Sequence, residues 1–279
     1  MPGVERGATD LRAAVKRGLA RVPERDTAGG ATLLIYHRVG GGTDNELDLH
    51  PHTFRRQLDI LDGHDVLSLD DSLDRLNAGD VSPSVVLTFD DGFADVYENA
   101  WPLLKDRRLP FTIYLASAYM GEPMVWEGAT ATGQPGRGLS WAQLEEMLAS
   151  GLCTLGNHTH HHVRPEALTI AELDECTTEI QRHLRVTPRH FTYPWGVRVP
   201  PMDEAMRDRF RSASTGELGR NLPGTNLQAL ARVPVRRTDP DAFFAAKLTG
   251  SLRAERAYAA LVGGAKLAKR TTQRLTRRR

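Results

Sequence analysis

The chain has 279 residues, 40% of them hydrophobic and 25% charged, with a formal net charge of +1. That length supports one large domain or two small ones, and the composition excludes a disordered or fibrous chain. Near-neutrality hides an uneven spread: from Arg253 to Arg279 the only acidic residue is Glu255.

Within residues 1–30, Leu11, Val15, Leu19 and Val22 recur on one helical face, with Arg12, Lys16, Arg17 and Arg21 beside it. Residues 31–39 form a glycine-bounded apolar run that reads as a buried strand. A helix through Phe54, Leu58 and Leu61 follows, then a short strand at Val66–Leu69 and a helix through Leu73 and Leu76. Ser84–Asp91 is a second strong strand, Val96–Leu104 is helical, and Phe111–Ala116 is strand again. Ser140-Trp-Ala-Gln143 and Thr169-Ile-Ala-Glu172 are capping boxes that open two further helices. Short strands are expected at Phe191–Tyr193 and Val233–Val235. Asp239-Pro240 opens a last helix, with Asp as cap and Pro at its first position.

Strand and helix alternate, and the strands are continuously apolar, which calls for a parallel sheet covered by helices. Length and repeat number favour a closed or distorted α/β barrel, whose chemistry sits at the C-terminal strand ends. Cys153 and Cys176 form no CxxC and read as reduced, small apolar side chains. Neither an export-type apolar leader nor a spanning segment is visible, so a cytoplasmic location is expected.

Two fragments carry chemistry. Thr88-Phe89-Asp90-Asp91-Gly92 puts adjacent carboxylates at the end of an apolar strand, which is costly unless a charged group meets them. Strand neighbours point to opposite faces, so both reach one site only if the chain bends, as Gly92 permits. By itself Asp-Asp-Gly is an ordinary turn. Gly156-Asn157-His158-Thr159-His160-His161-His162 packs four histidines into five positions. On a helical turn His158 and His162 share a face and chelate one ion; His160 and His161 are the alternative pair, and a solvated tract is the plain reading. One Asp with two His leaves an open position for water, and a second carboxylate supplies a general base. Each fragment explains the other. Phe191-Thr192-Tyr193-Pro194-Trp195-Gly196 is weaker, an aromatic turn suited to the wall of a sugar site.

In order and spacing these three fragments resemble the motifs of the polysaccharide deacetylases with the NodB homology domain (carbohydrate esterase family 4). Phe111-Thr112-Ile113-Tyr114-Leu115 extends the first motif, and Tyr36-His37-Arg38-Val39 is similar to the branch acting on poly-N-acetylglucosamine. The resemblance implies a distorted (β/α)7 or (β/α)8 barrel as a single domain over 31–252, flanked by a basic amphipathic segment 1–30 and a basic tail 253–279. It implies a divalent metal, Zn²⁺ first with Co²⁺ or Ni²⁺ open, on Asp91, His158 and His162. Asp90 is then the base, and the backbone N–H of Trp195, after Tyr193 and Pro194, holds the oxyanion.

Two family roles lack their usual residue. The Arg that orients the base has no clear counterpart, leaving Arg189, Arg198 or Arg232. The late-chain histidine acid is missing, since no histidine follows His190. His37 at the end of the first strand is expected to supply that proton, with His190 as runner-up.

The expected activity is removal of an acetyl or other acyl group from an amino sugar or an N-acetylhexosamine-containing glycan. The alternatives are a deformylase, a small-molecule amidohydrolase and a non-catalytic sugar-binding relative. The basic termini suggest peripheral contact with anionic lipid on the inner membrane face. Nucleic-acid binding is not expected, because the tail has no interleaved aromatics.

Overall fold

The computed structural model describes residues 2–21, 29–126, 128–129, 136–249 and 252–262. Val22 and the basic residues beyond 262 lie outside that set.

Apolar, β-branched segments become fully buried strands: β1 (Ala31–Tyr36), β4 (Ser84–Phe89) and β5 (Phe111–Leu115) have no exposed position. Between the first two lie the two-residue strands β2 (Arg38–Val39) and β3 (Asp48–Leu49), paired with each other. Later come β6 (Cys153–Asn157), β7 (His190–Thr192), β8 (Ser212–Leu218) and β9 (Leu230–Pro234). Seven of them close a parallel barrel in the order β1-β4-β5-β6-β7-β8-β9, and β9 pairs back onto β1. The seven-stranded form of the expected barrel is therefore the one adopted.

Helices cover it: α2 (Pro51–Leu61), α3 (Leu69–Asn77), α4 (Trp101–Asp106), α5 (Trp141–Ala149), α6 (Ile170–Leu184) and α7 (Asp203–Arg209). Phe54, Leu58 and Leu61 form the buried face of α2. The rings of Phe54 and Phe89 both meet Tyr36 of β1, at 5.4 Å and 5.2 Å. At α5 the Ser140–Gln143 capping box is complete. At α6 only half forms: Thr169 accepts from Glu172 N, while the Glu172 carboxylate turns to His161 instead.

The strand expected at Val66–Leu69 does not form. Val66 makes a single bridge to Val85, and Ser68 already caps α3, accepting from Asp71 N at 3.1 Å. A capping serine three residues before an acceptor-seeking N–H outweighs the β-preference of one valine. β6 and β8 were not legible. Their Thr, Gly, Asn and Ser side chains give no apolar run, and pairing with neighbours makes them strands.

The chain divides into two compact units, Gly29–Arg237 and the segments before and after it. The barrel unit thus stops short of the expected 252. The second unit contains α1 (Pro2–Ala20), α8 (Asp241–Leu248) and a helix over 253–262. Two expectations fail here. Lys16 is not a surface charge: it is fully buried and donates to Asp239 Oδ1 and Thr238 Oγ1, both at 2.7 Å, while Leu11 is 66% exposed. Asp239 does not cap α8; Pro240 takes that place, and the Asp239 carboxylate instead meets Lys16 and Lys247. A buried ammonium needs its counter-charge more than a helix needs its cap. No helix of the described residues is long and apolar enough to cross a membrane. Both cysteines are free and buried.

Candidate metal centre

His37, Asp90, Asp91, His158, His162 and Tyr193–Trp195 all emerge at the C-terminal end of the barrel. His37 follows β1 and Asp90 follows β4; Tyr36 pairs with Phe89, and Asp90 N donates to Tyr36 O at 2.9 Å. The two side chains therefore leave adjacent strands next to each other. The bend that lets Asp91 join Asp90 lies at Asp91 itself, whose φ is 75°, followed by Gly92 at 91°.

His158 and His162 are not on a helical turn. They lie in an irregular loop after β6, with positive φ at Thr159 (69°) and His162 (51°). The loop, not helical periodicity, brings the rings together. Trp195 has φ 62°. Four of the seven described non-glycine residues in the left-handed region thus sit in or beside this centre, where strain is held by the surrounding structure.

Asp91 Oδ1 lies 3.3 Å from His158 Nε2 and 3.3 Å from His162 Nε2, with all three residues buried. Among the described residues no hydrogen bond reaches Asp91 Oδ1. Ligand bonds of ~2.0–2.1 Å at tetrahedral angles separate neighbouring donor atoms by ~3.3–3.4 Å. Both carboxylate–imidazole separations have that spacing, and the donor set of one carboxylate and two imidazoles suits a hydrolytic divalent ion. Burial pushes the Asp91 carboxyl up, but His158 and His162 outweigh it and hold it well below the usual carboxylate range. His158 is oriented by Nδ1, which lies 2.8 Å from Thr192 O, leaving Nε2 for the centre. Among the described residues His162 Nδ1 has no such partner; its ring lies against Trp126, 4.4 Å away at 27°.

Asp90 faces the same cavity but is held differently. Arg232 on β9 donates to both its oxygens, Nη1 to Oδ1 at 2.7 Å and Nη2 to Oδ2 at 2.8 Å. Arg232 is itself fixed through Nε to Thr215 O at 3.0 Å. Burial works against the Asp90 charge, yet Arg232 prevails and its pKa stays below the ordinary value. Of the three arginines left open by sequence, Arg232 is the one on Asp90. Arg189 reaches Asp70 and Arg198 pairs with Asp203.

The cavity, about 330 Å³, is lined by His37, Asp90, Asp91, His158, His162, Tyr193, Trp195 and Arg232, with Trp126, Leu47 and Ile35 among its apolar walls. His190 is not among the lining residues. It is fully buried at the start of β7, against Ser212 Oγ and Asp70, at the opposite strand end. Pro194 and Tyr193 are buried, and Trp195 is 39% exposed at the rim, where a Cβ on Gly128 would meet its ring at 2.5 Å.

Residues 78–212 match the family described as polysaccharide deacetylase. The solved structure of IcaB from Ammonifex degensii is 30% identical, with 79% of this chain and 99% of that one covered and a TM-score of 0.67. The chain belongs to the polysaccharide deacetylase family. The deacetylase PplD of Streptococcus pyogenes has the same fold, with a TM-score of 0.66 at 21% identity over 80% of this chain and 99% of that one. Among curated relatives, the poly-beta-1,6-N-acetyl-D-glucosamine N-deacetylase of Staphylococcus aureus is 26% identical over 126 residues. The match covers about two-fifths of each chain, 41%.

Trp126 is the aromatic cavity residue that sequence reasoning missed. It stands in a Pro- and Gly-rich stretch without periodicity, and only the folded loop brings it onto His162. Arg232 was found only as one of three, because its partner is 142 positions away.

Proposed function

We propose that this chain hydrolyses the N-acetyl group of an N-acetylglucosamine-containing glycan with the help of one divalent ion, Zn²⁺ in the first instance. The observation that carries this reading is Asp91 Oδ1 at 3.3 Å from both His158 Nε2 and His162 Nε2, beside an Asp90 carboxylate clamped by Arg232. An ion held by the trio would supply Lewis acidity toward the acyl carbonyl and make water nucleophilic near neutral pH.

The chain's own groups do the rest. Asp90, kept ionised and aimed by Arg232, takes the proton of the attacking water. The carbonyl oxygen gains charge as the water oxygen bonds to the acyl carbon, and the backbone N–H of Trp195 is assigned to meet that charge. His37 delivers a proton to the sugar nitrogen as the C–N bond breaks, because an amide anion is too basic to leave unaided. Acetate and the free amine are the products. The aromatic rim of Trp126 and Trp195 offers flat apolar faces to a pyranose ring.

His37 lines the cavity, which supports assigning it the acid role whose absence favoured a non-catalytic relative. The test is product release from N-acetylglucosamine oligomers of increasing length, alongside N-formyl analogues. Acetate release that requires added Zn²⁺ and rises with oligomer length is expected. Formate release alone, or turnover of small amides but no sugar, would reassign the substrate while keeping the centre.

A further inference from the structure

The loop that carries His158 and His162 holds two more histidines pointing the other way. His160 and His161 place one ligand atom each within 4.8 Å of a Glu175 carboxylate oxygen, on the outer side of the barrel wall. Both rings are already oriented. His160 Nδ1 lies 2.8 Å from Ser117 Oγ, and His161 Nδ1 lies 2.8 Å from Glu172 Oε1. The second Glu172 oxygen accepts from His161 N at 2.8 Å, and His160 N donates to Glu172 O at 3.0 Å. Glu172 and Glu175 stand three apart on α6 and so share a face.

With Nδ1 engaged in each ring, Nε2 is the nitrogen left for an ion. An imidazole fixed through its second nitrogen by a hydroxyl or a carboxylate is the arrangement that prepares histidines for metal binding. Two oriented imidazoles and a carboxylate suit Zn²⁺, Ni²⁺ or Cu²⁺ rather than Mg²⁺ or Ca²⁺. We propose that His160, His161 and Glu175 form a second, solvent-facing site for a divalent transition ion. It clips the histidine loop to α6, distinct from the buried centre. Its exposure leaves coordination positions to water and makes it the weaker of the two.

The test is a Zn²⁺ titration of the metal-stripped protein, counting bound ions by calorimetry and elemental analysis. His161→Ala and Glu175→Gln are compared with wild type. Both side chains are surface groups, so the variants keep the fold and the activity that depends on the buried centre. The expected result is one ion fewer in each variant and a smaller Zn²⁺-induced rise in Tm. An ion count unchanged in both variants overturns the proposal, whatever that count is. Because the readout is a difference, it stands apart from the Asp91 centre: loss of that centre lowers all three counts together.

Discussion

Among the described residues, the terminal unit and the barrel end both bury carboxylates among positive or ionisable groups, and they differ in how those groups are satisfied. In the terminal unit, both Asp239 oxygens meet ammonium groups, Lys16 at 2.7 Å and Lys247 at 2.9 Å, and Lys247 reaches on to Glu255 at 2.7 Å. Lys16 also lies 4.5 Å from the Tyr258 ring. In the barrel, Asp91 Oδ1 and His162 Nδ1 are buried without a hydrogen bond among the described residues, and Asp91 Oδ1 lies 3.3 Å from each of two imidazole nitrogens. A closed network of buried charges holds helices in place; an open one at strand ends invites a further charge. Asp90 shows both traits. Arg232 closes it from behind while its cavity face stays available.

The comparison breaks most sharply at Asp90. Asp90→Asn keeps the trio and its ion but removes the base, so kcat should fall by a factor on the order of 10²–10⁴. His158→Ala should instead empty the centre, read by elemental analysis. If Asp90→Asn loses the ion and Asp91→Asn keeps it, the two carboxylates have exchanged roles.

Next in size is the closed network. Removing one partner of a buried pair costs about 3–5 kcal/mol, so Asp239→Asn should lower denaturant stability by that order while leaving kcat of the folded enzyme intact. The pH dependence has a definite sign. Burial raises the Asp239 carboxyl, but Lys247 and then Lys16 overcome it, and the folded pKa lies below the ordinary value. Its contribution is therefore complete above the unfolded pKa of ~3.9 and is lost as pH falls toward the folded pKa. Wild type should lose stability across that acid range more steeply than Asp239→Asn. Equal slopes would mean that Asp239 is not held ionised.

A smaller effect is expected at Trp126. His158 is steadied by a backbone oxygen, whereas His162 rests on the indole face of Trp126. Loss of an outer partner to a metal ligand costs 10–100-fold in affinity, and Trp126→Ala should weaken Zn²⁺ binding by about that factor. Trp126→Phe, which keeps a flat ring there, should recover most of it. Equal Zn²⁺ affinity in wild type and Trp126→Ala would show that the loop backbone alone fixes His162.

Much of this was legible because it is local. Apolar runs such as Ala31–Tyr36 and Ser84–Phe89 state their own strands, and Ser140 with Gln143 states its own helix start. The Asp and His fragments betrayed themselves by the cost of burying such groups. What sequence hid is long-range or conformational. Residues 153–157 and 212–218 become strands by pairing, and Lys16 finds Asp239 across 223 positions. The histidine spacing singled out His158 and His162, which do lie beside Asp91, but a loop and not a helical turn brings them there. A helical turn and a loop bent by left-handed residues at Thr159 and His162 both bring i and i+4 together.

The finest test concerns His37, which belongs to neither network. Burial lowers its pKa most strongly; the Asp91 and Asp90 carboxylates raise it, Arg232 and His158 lower it again, and the result lies below the ordinary imidazole value. An acid works only while protonated, so the fraction of competent enzyme declines as pH rises through that pKa. The alkaline limb of kcat/KM is therefore expected on the acid side of ~6.5, the unperturbed value. His37→Ala should abolish this limb and reduce kcat, while leaving bound Zn²⁺ unchanged, because His37 is not one of the three converging ligands. Asp90→Asn bears on the same limb from the other side. It removes one of the two carboxylates that support the His37 charge, so the limb of its residual activity should move to still lower pH. A limb that survives His37→Ala would hand the proton to another group in the cavity, with Tyr193 excluded near neutrality because burial pushes its hydroxyl up to about 12.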